Sequence, residues 1–203
     1  MRHRVHVIKD PEVAKLLADE TRRQILNKLR HDELSATDLA KALNRNHSSI
    51  VHHLNQLLEA GLIEVTREEK VRNMVQPYYR SVSHGFHVAY SLTEALSQDP
   101  DYSAWQEEYI EGMLLALSGY GVSVPEARRD EARALLQMCY LGQKKAYEER
   151  ITKRTTVPDV SKYAARNTAN ILSHMLLMKD KEYMEALSRL SEIIEEPEED
   201  QRG

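Results

Sequence analysis

The amino-acid sequence predicts a mostly α-helical, α+β chain in which one small β-sheet interrupts a series of helices. Apolar residues recur at the three- and four-residue spacing of helices along most of the 203 residues. The chain contains only 7 Gly and 6 Pro, which favours long helices and few loops. Strand-like spacing is concentrated in residues 62–82. We therefore expect an N-terminal domain with a small sheet and an all-α C-terminal helical domain.

Two helices joined by a tight turn form the centre of the N-terminal domain. They are predicted at residues 37–43 and 47–60. Asn46 is a favourable N-cap because its side-chain oxygen can accept a hydrogen bond from a first-turn amide. Gly61 can adopt the left-handed conformation that ends a helix. The apolar stripe of the second helix comprises Ile50, Leu54, Leu57 and Leu58.

The other side of the second helix, with the turn before it, carries compact polar side chains and one methyl-bearing residue. These residues are Arg45, Asn46, His47, Ser48, Ser49, Val51, His52 and Asn55. Such groups suit the donors, acceptors and thymine methyl groups that base pairs present in the DNA major groove. The pattern favours a helix-turn-helix whose second helix is the recognition helix. The alternative is a pair of packed surface helices with polar outer faces.

A two-stranded ribbon is predicted directly after the recognition helix. Residues 62–65 begin the first strand, residues 67–73 form a charged turn, and residues 74–82 return as the second strand. A helix-turn-helix followed by such a ribbon is a winged helix-turn-helix. The alternative is a plain hairpin with a solvated tip. The cations placed to contact phosphates or the minor groove are Arg67, Lys70 and Arg72.

Over about residues 10–90 the chain resembles the ArsR-type winged-helix transcription regulators. The segments that carry the resemblance are DETRRQILNKL, LSATDLAKAL and NHSSIVHHLNQLLEAGLIEV. Val51 stands where the family signature has Ser. Beyond residue 90 the layout is similar to longer archaeal members that carry an added helical C-terminal half. The resemblance implies a DNA-binding transcription regulator, and by family habit a repressor.

Shorter elements are predicted before the helix pair. Residues 4–8 alternate enough to form a strand, which would be added to the sheet of the wing. Pro11 opens one helix, and Asp19 caps the next. The residues of that second helix that face the core are Ile25, Leu26 and Leu29.

Arg22 and Arg23 point away from the core stripe of the same helix. They are candidate phosphate contacts at the edge of the DNA site. The alternative is a solvated helix face, or a pairing with Glu20.

Charge is divided unevenly between the two halves. The whole chain has a formal net charge of -4, but residues 1–90 carry +3 and residues 91–203 carry -7. A mildly basic half joined to an acidic half is typical of a DNA-binding domain with a separate interaction domain. The small positive charge predicts salt-sensitive, weak non-specific DNA binding unless two copies act together.

Composition also bears on compartment and on enzymatic function. The lone Cys139 rules out an intramolecular disulfide framework and fits a reducing cytoplasm. The apolar runs are too short for a membrane span, and the N-terminal segment lacks the apolar core of a signal peptide. The sequence contains no P-loop, no glycine-rich dinucleotide turn and no zinc-hydrolase pair of histidines on one helix. We therefore expect a cytoplasmic protein that is not an enzyme.

His84 and His87 suggest a metal site, and the ArsR family includes metal sensors. A structural tetrahedral site needs four ligands, and only these two lie close together in the sequence. The cysteine pair that the family places in its first helix-turn-helix helix is absent from residues 37–43, and His174 stands alone near the end of the chain. We predict no metal and no cofactor; residues 84–87 then form a turn or an edge strand.

The sequence divides into a DNA-binding domain at 1–90, a helical domain at 91–195 and an acidic, disordered tail at 196–203. The helical domain contains five methionines and many tyrosines. These residues could form a flexible core or the interface of a homodimer, which we favour, or enclose a small apolar effector. Ser161 or Asp159 is predicted to cap one of its helices. The stripe of the last helix is predicted as Tyr183, Leu187, Leu190 and Ile194.

Together these observations predict a homodimeric, sequence-specific transcription regulator that binds double-stranded DNA. Residues 47–60 would lie in the major groove and residues 67–73 on the backbone or in the minor groove. The alternative is a winged-helix module that docks proteins or organises DNA with little sequence preference.

Overall fold

The computed structural model describes residues 5–71, 73–153 and 160–195. By its packing the chain divides into two compact units, Met1–Ser103 and Ala104–Gly203. The domain boundaries predicted from the sequence stay predictions, and the predicted acidic tail lies outside the described residues. None of the described helices is long and apolar enough to cross a membrane.

Side-chain caps determine where the helices of the N-terminal unit begin. The Asp19 carboxylate accepts a hydrogen bond from the amide of Arg22 at 2.8 Å, as the sequence predicted for this cap. Ser35 and Asp38 form a reciprocal capping box, which satisfies two backbone donors at once. The helices of this unit are α1 (Pro11–Lys15), α2 (Glu20–Leu29), α3 (Ala36–Leu43), α4 (His47–Glu59) and α5 (Thr93–Ser97).

The turn between α3 and α4 is as short as the sequence predicts. Asn44 adopts a left-handed conformation with φ of 51°, and Asn46 caps α4. Gly61, with φ of 67°, ends α4. The assignment of Leu58 to the inner stripe was wrong, because its side chain is 38% exposed. At about 100° per residue Leu58 lies roughly 80° around the helix from Ile50, at the edge of the buried face.

The wing is a three-stranded antiparallel sheet with the order β2–β4–β3. Its strands are β2 (Leu34–Ser35), β3 (Ile63–Val71) and β4 (Met74–Ser81). The predicted turn at residues 67–73 is therefore mostly strand, since Val71 pairs with Met74 and only residues 72 and 73 lie between the strands. Residues 67–71 adopt strand conformation because they pair in register with residues 74–78 of β4.

A second sheet pairs β1 (His6–Ile8) in parallel with β5 (Phe86–Val88). The strand predicted at residues 4–8 is thus confirmed over residues 6–8. The prediction that it joins the wing sheet was wrong. Its partner is the segment that follows the wing. Local sequence cannot reveal such a pairing, because it depends on the path of about eighty intervening residues.

The described part of the C-terminal unit is all-α. It contains most of α6 (Pro100–Ala116), together with α7 (Arg129–Thr152), α8 (Lys162–Leu177) and α9 (Lys181–Ile193). Helix α7 packs against both α8 and α9. Gly142 permits a close approach of α9, because a Cβ at this position would lie 2.8 Å from Cδ2 of Tyr183. Ser161 caps α8; the alternative cap, Asp159, lies outside the described residues.

Helix α9 buries a face that differs from the predicted stripe. Tyr183 and Leu190 are buried as expected, but Leu187 is 41% exposed. Ala186 and Ile193 are buried in its place. The prediction missed Ala186 because it selected only large apolar residues.

Candidate nucleic-acid interface

Helix α4 is anchored by three buried side chains on its inner face. Ile50, Leu54 and Leu57 are each no more than 1% exposed. Burial of aliphatic side chains of this size contributes about 1.5–3 kcal/mol each relative to exposure. The inner face therefore fixes the rotation of α4, and with it the direction in which the outer side chains point.

The residues predicted to contact bases share the solvent-exposed surface of α4 and of the turn before it. Within this set only Val51 is half-buried; the others are exposed, namely Arg45, Asn46, His47, Ser48, Ser49, His52 and Asn55. The structure thus brings the predicted set together on one accessible surface. Whether these residues contact DNA stays a prediction.

Asn46 and Ser48 are partly committed to capping α4. The Asn46 side-chain oxygen accepts a hydrogen bond from the Ser48 amide at 2.8 Å and from the Ser48 hydroxyl at 2.7 Å. The Asn46 amide group and the oxygen of the Ser48 hydroxyl keep further hydrogen-bonding capacity. Both side chains are therefore held in a defined orientation at the exposed start of the helix.

His53 is a neighbour of this surface that the sequence did not single out. Its Nδ1 lies 4.0 Å from a carboxylate oxygen of Asp19, and its side chain is 13% exposed. Burial lowers the pKa of His53 below its usual 6.5, and the positive charge of Arg22 lowers it further, while Asp19 acts in the opposite direction. Unlike the exposed His52, His53 therefore lies under the surface as a neutral ring at neutral pH.

Arg22 and Arg23 have internal partners that neither sequence interpretation foresaw. Arg22 donates to the backbone oxygen of Leu16 at 2.5 Å and to the Gln56 side chain of α4 at 2.9 Å. Arg23 donates to the carbonyl oxygens of residues 17 and 18, both at 2.7 Å. These contacts tie α2 to the preceding turn and to α4. The role of both residues as phosphate contacts stays a prediction.

The three predicted cations of the wing differ in their surroundings. Lys70 is exposed on β3 and forms no ion pair with any described residue. Arg67 lies over the ring of Tyr78, with its Cζ 3.6 Å from the ring centroid. Arg72 lies outside the described residues. Among the described cations of the wing, Lys70 is thus the one available to an external anion.

No group of three or more His, Cys, Asp or Glu among the described residues is placed to share a metal ion. His87 lies on β5, and its register partner is Val7 of β1. His84 is exposed in the preceding turn. The segment predicted as a turn or edge strand does contain a short strand, and the absence of a metal stays a prediction.

Comparison with known proteins identifies the helix-turn-helix. Residues 19–65 match the family model described as "Bacterial regulatory protein, arsR family". Over 56 residues the chain is 41% identical to the transcriptional repressor SdpR of Bacillus subtilis (strain 168). The aligned segment covers 28% of this chain and 62% of that repressor. The chain therefore spans less than two thirds of the length of this relative. The match includes α2, α3 and α4, so residues 19–65 are similar to the helix-turn-helix domain of the ArsR family.

Proposed function

We propose that this chain is a homodimeric transcription regulator that binds double-stranded DNA with sequence preference and acts as a repressor. Helix α4 lies in the major groove in this proposal, and the tip of the β3–β4 hairpin lies on the backbone or in the minor groove. The similarity to a protein named as a transcriptional repressor supports the direction of regulation.

One observation carries the proposal: α4 is rigidly anchored on one side and chemically varied on the other. Leu54 is 1% exposed, whereas His52 and Asn55, its neighbours in the sequence, are exposed. An Asn side chain can form two hydrogen bonds with an adenine edge, and other polar side chains can bond to base edges as well. A helix that only covered the core would not need this combination of donors and acceptors.

The distribution of charge around α4 supports contact with phosphates. Arg45 is exposed in the turn that precedes α4, and Lys70 is exposed on the hairpin. With few available cations on one copy, non-specific affinity should be weak and should fall as salt rises. A second copy doubles the number of phosphate contacts and allows a two-fold symmetric site to be bound.

In this proposal the homodimer interface lies on the outer face of α8. Ile171, Met175 and Met178 are 63%, 54% and 73% exposed. At about 100° per residue these three side chains lie within roughly 60° of one another around the helix. A surface helix normally presents polar residues to water, so this exposed apolar stripe favours burial against a second copy of the chain.

The same residues bear on the alternative role of the C-terminal unit, the binding of a small apolar effector. Methionines that enclosed such a ligand would be expected to line a sheltered space. Four of the methionines of this unit are instead 41–73% exposed, namely Met138, Met175, Met178 and Met184. This exposure favours a protein interface over an enclosed effector site.

Selection of bound fragments from random and genomic DNA, followed by footprinting, tests the proposal. The expected result is a two-fold symmetric footprint with half-sites about one helical turn apart. The bound sequence should be preferred over random duplex by about a thousandfold or more. Substitution of Ser48, His52 or Asn55 should reduce this preference, whereas substitution of Lys70 or Arg72 should weaken binding to all duplexes alike.

Two results would contradict the proposal in different ways. Tight binding with little preference among sequences would support the alternative of an architectural module. Absence of duplex binding at low salt would favour a protein-docking role for the winged helix.

A further inference from the structure

A cluster of charged side chains joins the hairpin to the rest of the N-terminal unit. Glu33 precedes β2, and one of its carboxylate oxygens accepts a hydrogen bond from Nη1 of Arg80 on β4 at 3.3 Å. The other oxygen lies 3.4 Å from Nε of Arg67 on β3. A single carboxylate outside the hairpin therefore contacts one arginine from each of its two strands.

Arg67 is also held from two further directions. Its guanidinium group lies over the Tyr78 ring and pairs with Glu69. The Tyr78 hydroxyl donates to the second oxygen of Glu69 at 3.0 Å. The nitrogens of the guanidinium contact carboxylates while its flat face lies against the Tyr78 ring. A lysine ammonium could not make both kinds of contact at once.

The sum of charges in this cluster argues against contact between Arg67 and phosphate. Arg67 and Arg80 contribute two positive charges, and Glu33, Glu64 and Glu69 contribute three negative ones. The cluster therefore carries one net negative charge, which repels a phosphate. Lys70 lies on the same strand as Arg67 but nearer the tip. Unlike Arg67, it has no carboxylate partner among the described residues.

We propose that Glu33 is a positioning residue that braces the hairpin, and that Arg67 is part of this brace and does not bind phosphate. The brace fixes the angle at which the tip, with Lys70, approaches DNA bound at α4. This inference rests on the proposed function, because it assigns a role to the hairpin in DNA binding. The brace itself can be tested in the free protein.

The first experiment measures amide hydrogen exchange of the full chain without DNA. Glu33→Gln should speed exchange in residues 63–71 and 74–81 relative to α2. Glu12→Gln is the matched control, because it removes the same charge from an exposed ion pair with Lys15 on α1; it should leave hairpin exchange unchanged. In the double variant Glu33→Gln/Arg67→Gln, the loss of protection, expressed as a free energy, should be smaller than the sum of the two single losses, because both single variants remove the same contact between Glu33 and Arg67.

The second experiment measures affinity for the selected DNA at several salt concentrations. Glu33→Gln should weaken binding about two- to fivefold, as expected for the loss of partly exposed ion pairs, without changing the slope of log affinity against log salt. Arg67→Gln should also leave the slope unchanged. Lys70→Gln should make it shallower by about 0.9, the value for one lost phosphate contact.

Hairpin exchange that is unchanged in Glu33→Gln, or that rises equally throughout the N-terminal unit, would overturn the brace. A slope that becomes shallower in Arg67→Gln as it does in Lys70→Gln would show that Arg67 binds phosphate, and would overturn that part of the inference. If the wild-type chain binds no duplex, the proposed function fails by itself, and the exchange data still decide whether Glu33 holds the hairpin.

Discussion

Helices α4 and α8 each bury side chains on one face, but the exposed side chains on the other face are polar on α4 and apolar on α8. The inner residues of α4 are aliphatic and buried, and its outer residues His52 and Asn55 are polar. On α8 the inner Leu177 is 4% exposed, whereas the outer residue Ile171 is 63% exposed. Both helices bury their inner side chains, so the outer faces are the surfaces that a partner could contact.

This difference indicates the class of partner for each helix. Base edges offer hydrogen-bond donors and acceptors, which polar side chains match. A second protein offers an apolar surface, which Ile and Met match without unpaired polar groups. Charge follows the same division, since the chain is positive over residues 1–90 and negative over residues 91–203.

The largest effect is expected from the inner face of α4. Leu54→Ala should lower the free energy of unfolding of the N-terminal unit by about 2–5 kcal/mol, because it leaves a cavity in the core. Leu58→Ala on the next turn is the control, since Leu58 is 38% exposed, and it should cost less than about 1 kcal/mol. Denaturant unfolding followed by circular dichroism measures both. Equal losses would mean that α4 is not anchored as described.

The outer face of α8 should govern self-association. Ile171→Lys places a charge in the proposed dimer interface and should weaken the dimer by about 3 kcal/mol, or roughly a hundredfold. Asn170→Lys is the control, because the preceding residue is exposed but lies about 100° around the helix. Sedimentation equilibrium gives both dissociation constants. A dimer that tolerates Ile171→Lys would move the interface to another surface.

The outer face of α4 should govern sequence preference. Asn55→Ala should reduce discrimination between the selected site and a site altered at one base pair by about 1–3 kcal/mol. Lys70→Gln is the comparison, since it should lower affinity for both duplexes equally. Competition binding at fixed salt separates the two outcomes. If Asn55→Ala lowers affinity for both duplexes alike, Asn55 contacts the backbone and not a base.

The helix-turn-helix could be predicted closely because its signals are local. Asn46 accepts hydrogen bonds at the first turn of α4, and Gly61 takes a positive φ after its last turn. Each of these features depends on a few neighbouring residues, so it is visible in the sequence. The candidate interface followed from the same reasoning, because helical spacing alone separates Leu54 from Asn55.

The parts that the sequence did not predict depend on contacts between distant residues. Residues 67–71 suggested a charged turn, but Arg67 is paired across the strands with Tyr78 and held by Glu33. Arg22 suggested a phosphate contact or a solvated face, but its guanidinium donates to Gln56, 34 residues away. Arginine on a surface helix gives no local sign of whether its partner is water, an anion or a carbonyl oxygen. The packing of the unit decides this.

The smallest effect is expected from the half-buried His53 of α4. The pKa of His53 is lowered by burial and by the positive charges of Arg22, His52 and Arg45, against the opposing effect of Asp19. Above pH 6.5 the ring is neutral in both the folded and the unfolded chain, so its contribution to stability is complete. As the pH falls below 6.5, the unfolded chain binds the proton first, and the free energy of unfolding decreases until the folded pKa is passed.

His53→Gln should therefore flatten the dependence of unfolding free energy on pH between about 6.5 and 5, a window above the ordinary pKa values of the carboxylates. Asn55→Gln is the control, because it replaces an exposed residue of the same helix by one that does not titrate, and it should leave this dependence as it is in the wild type. Denaturant titrations at several pH values measure the two slopes. If Asn55→Gln flattened the slope as much as His53→Gln, the pH dependence could not be assigned to the half-buried His53 ring, and the anchored face of α4 would not carry it.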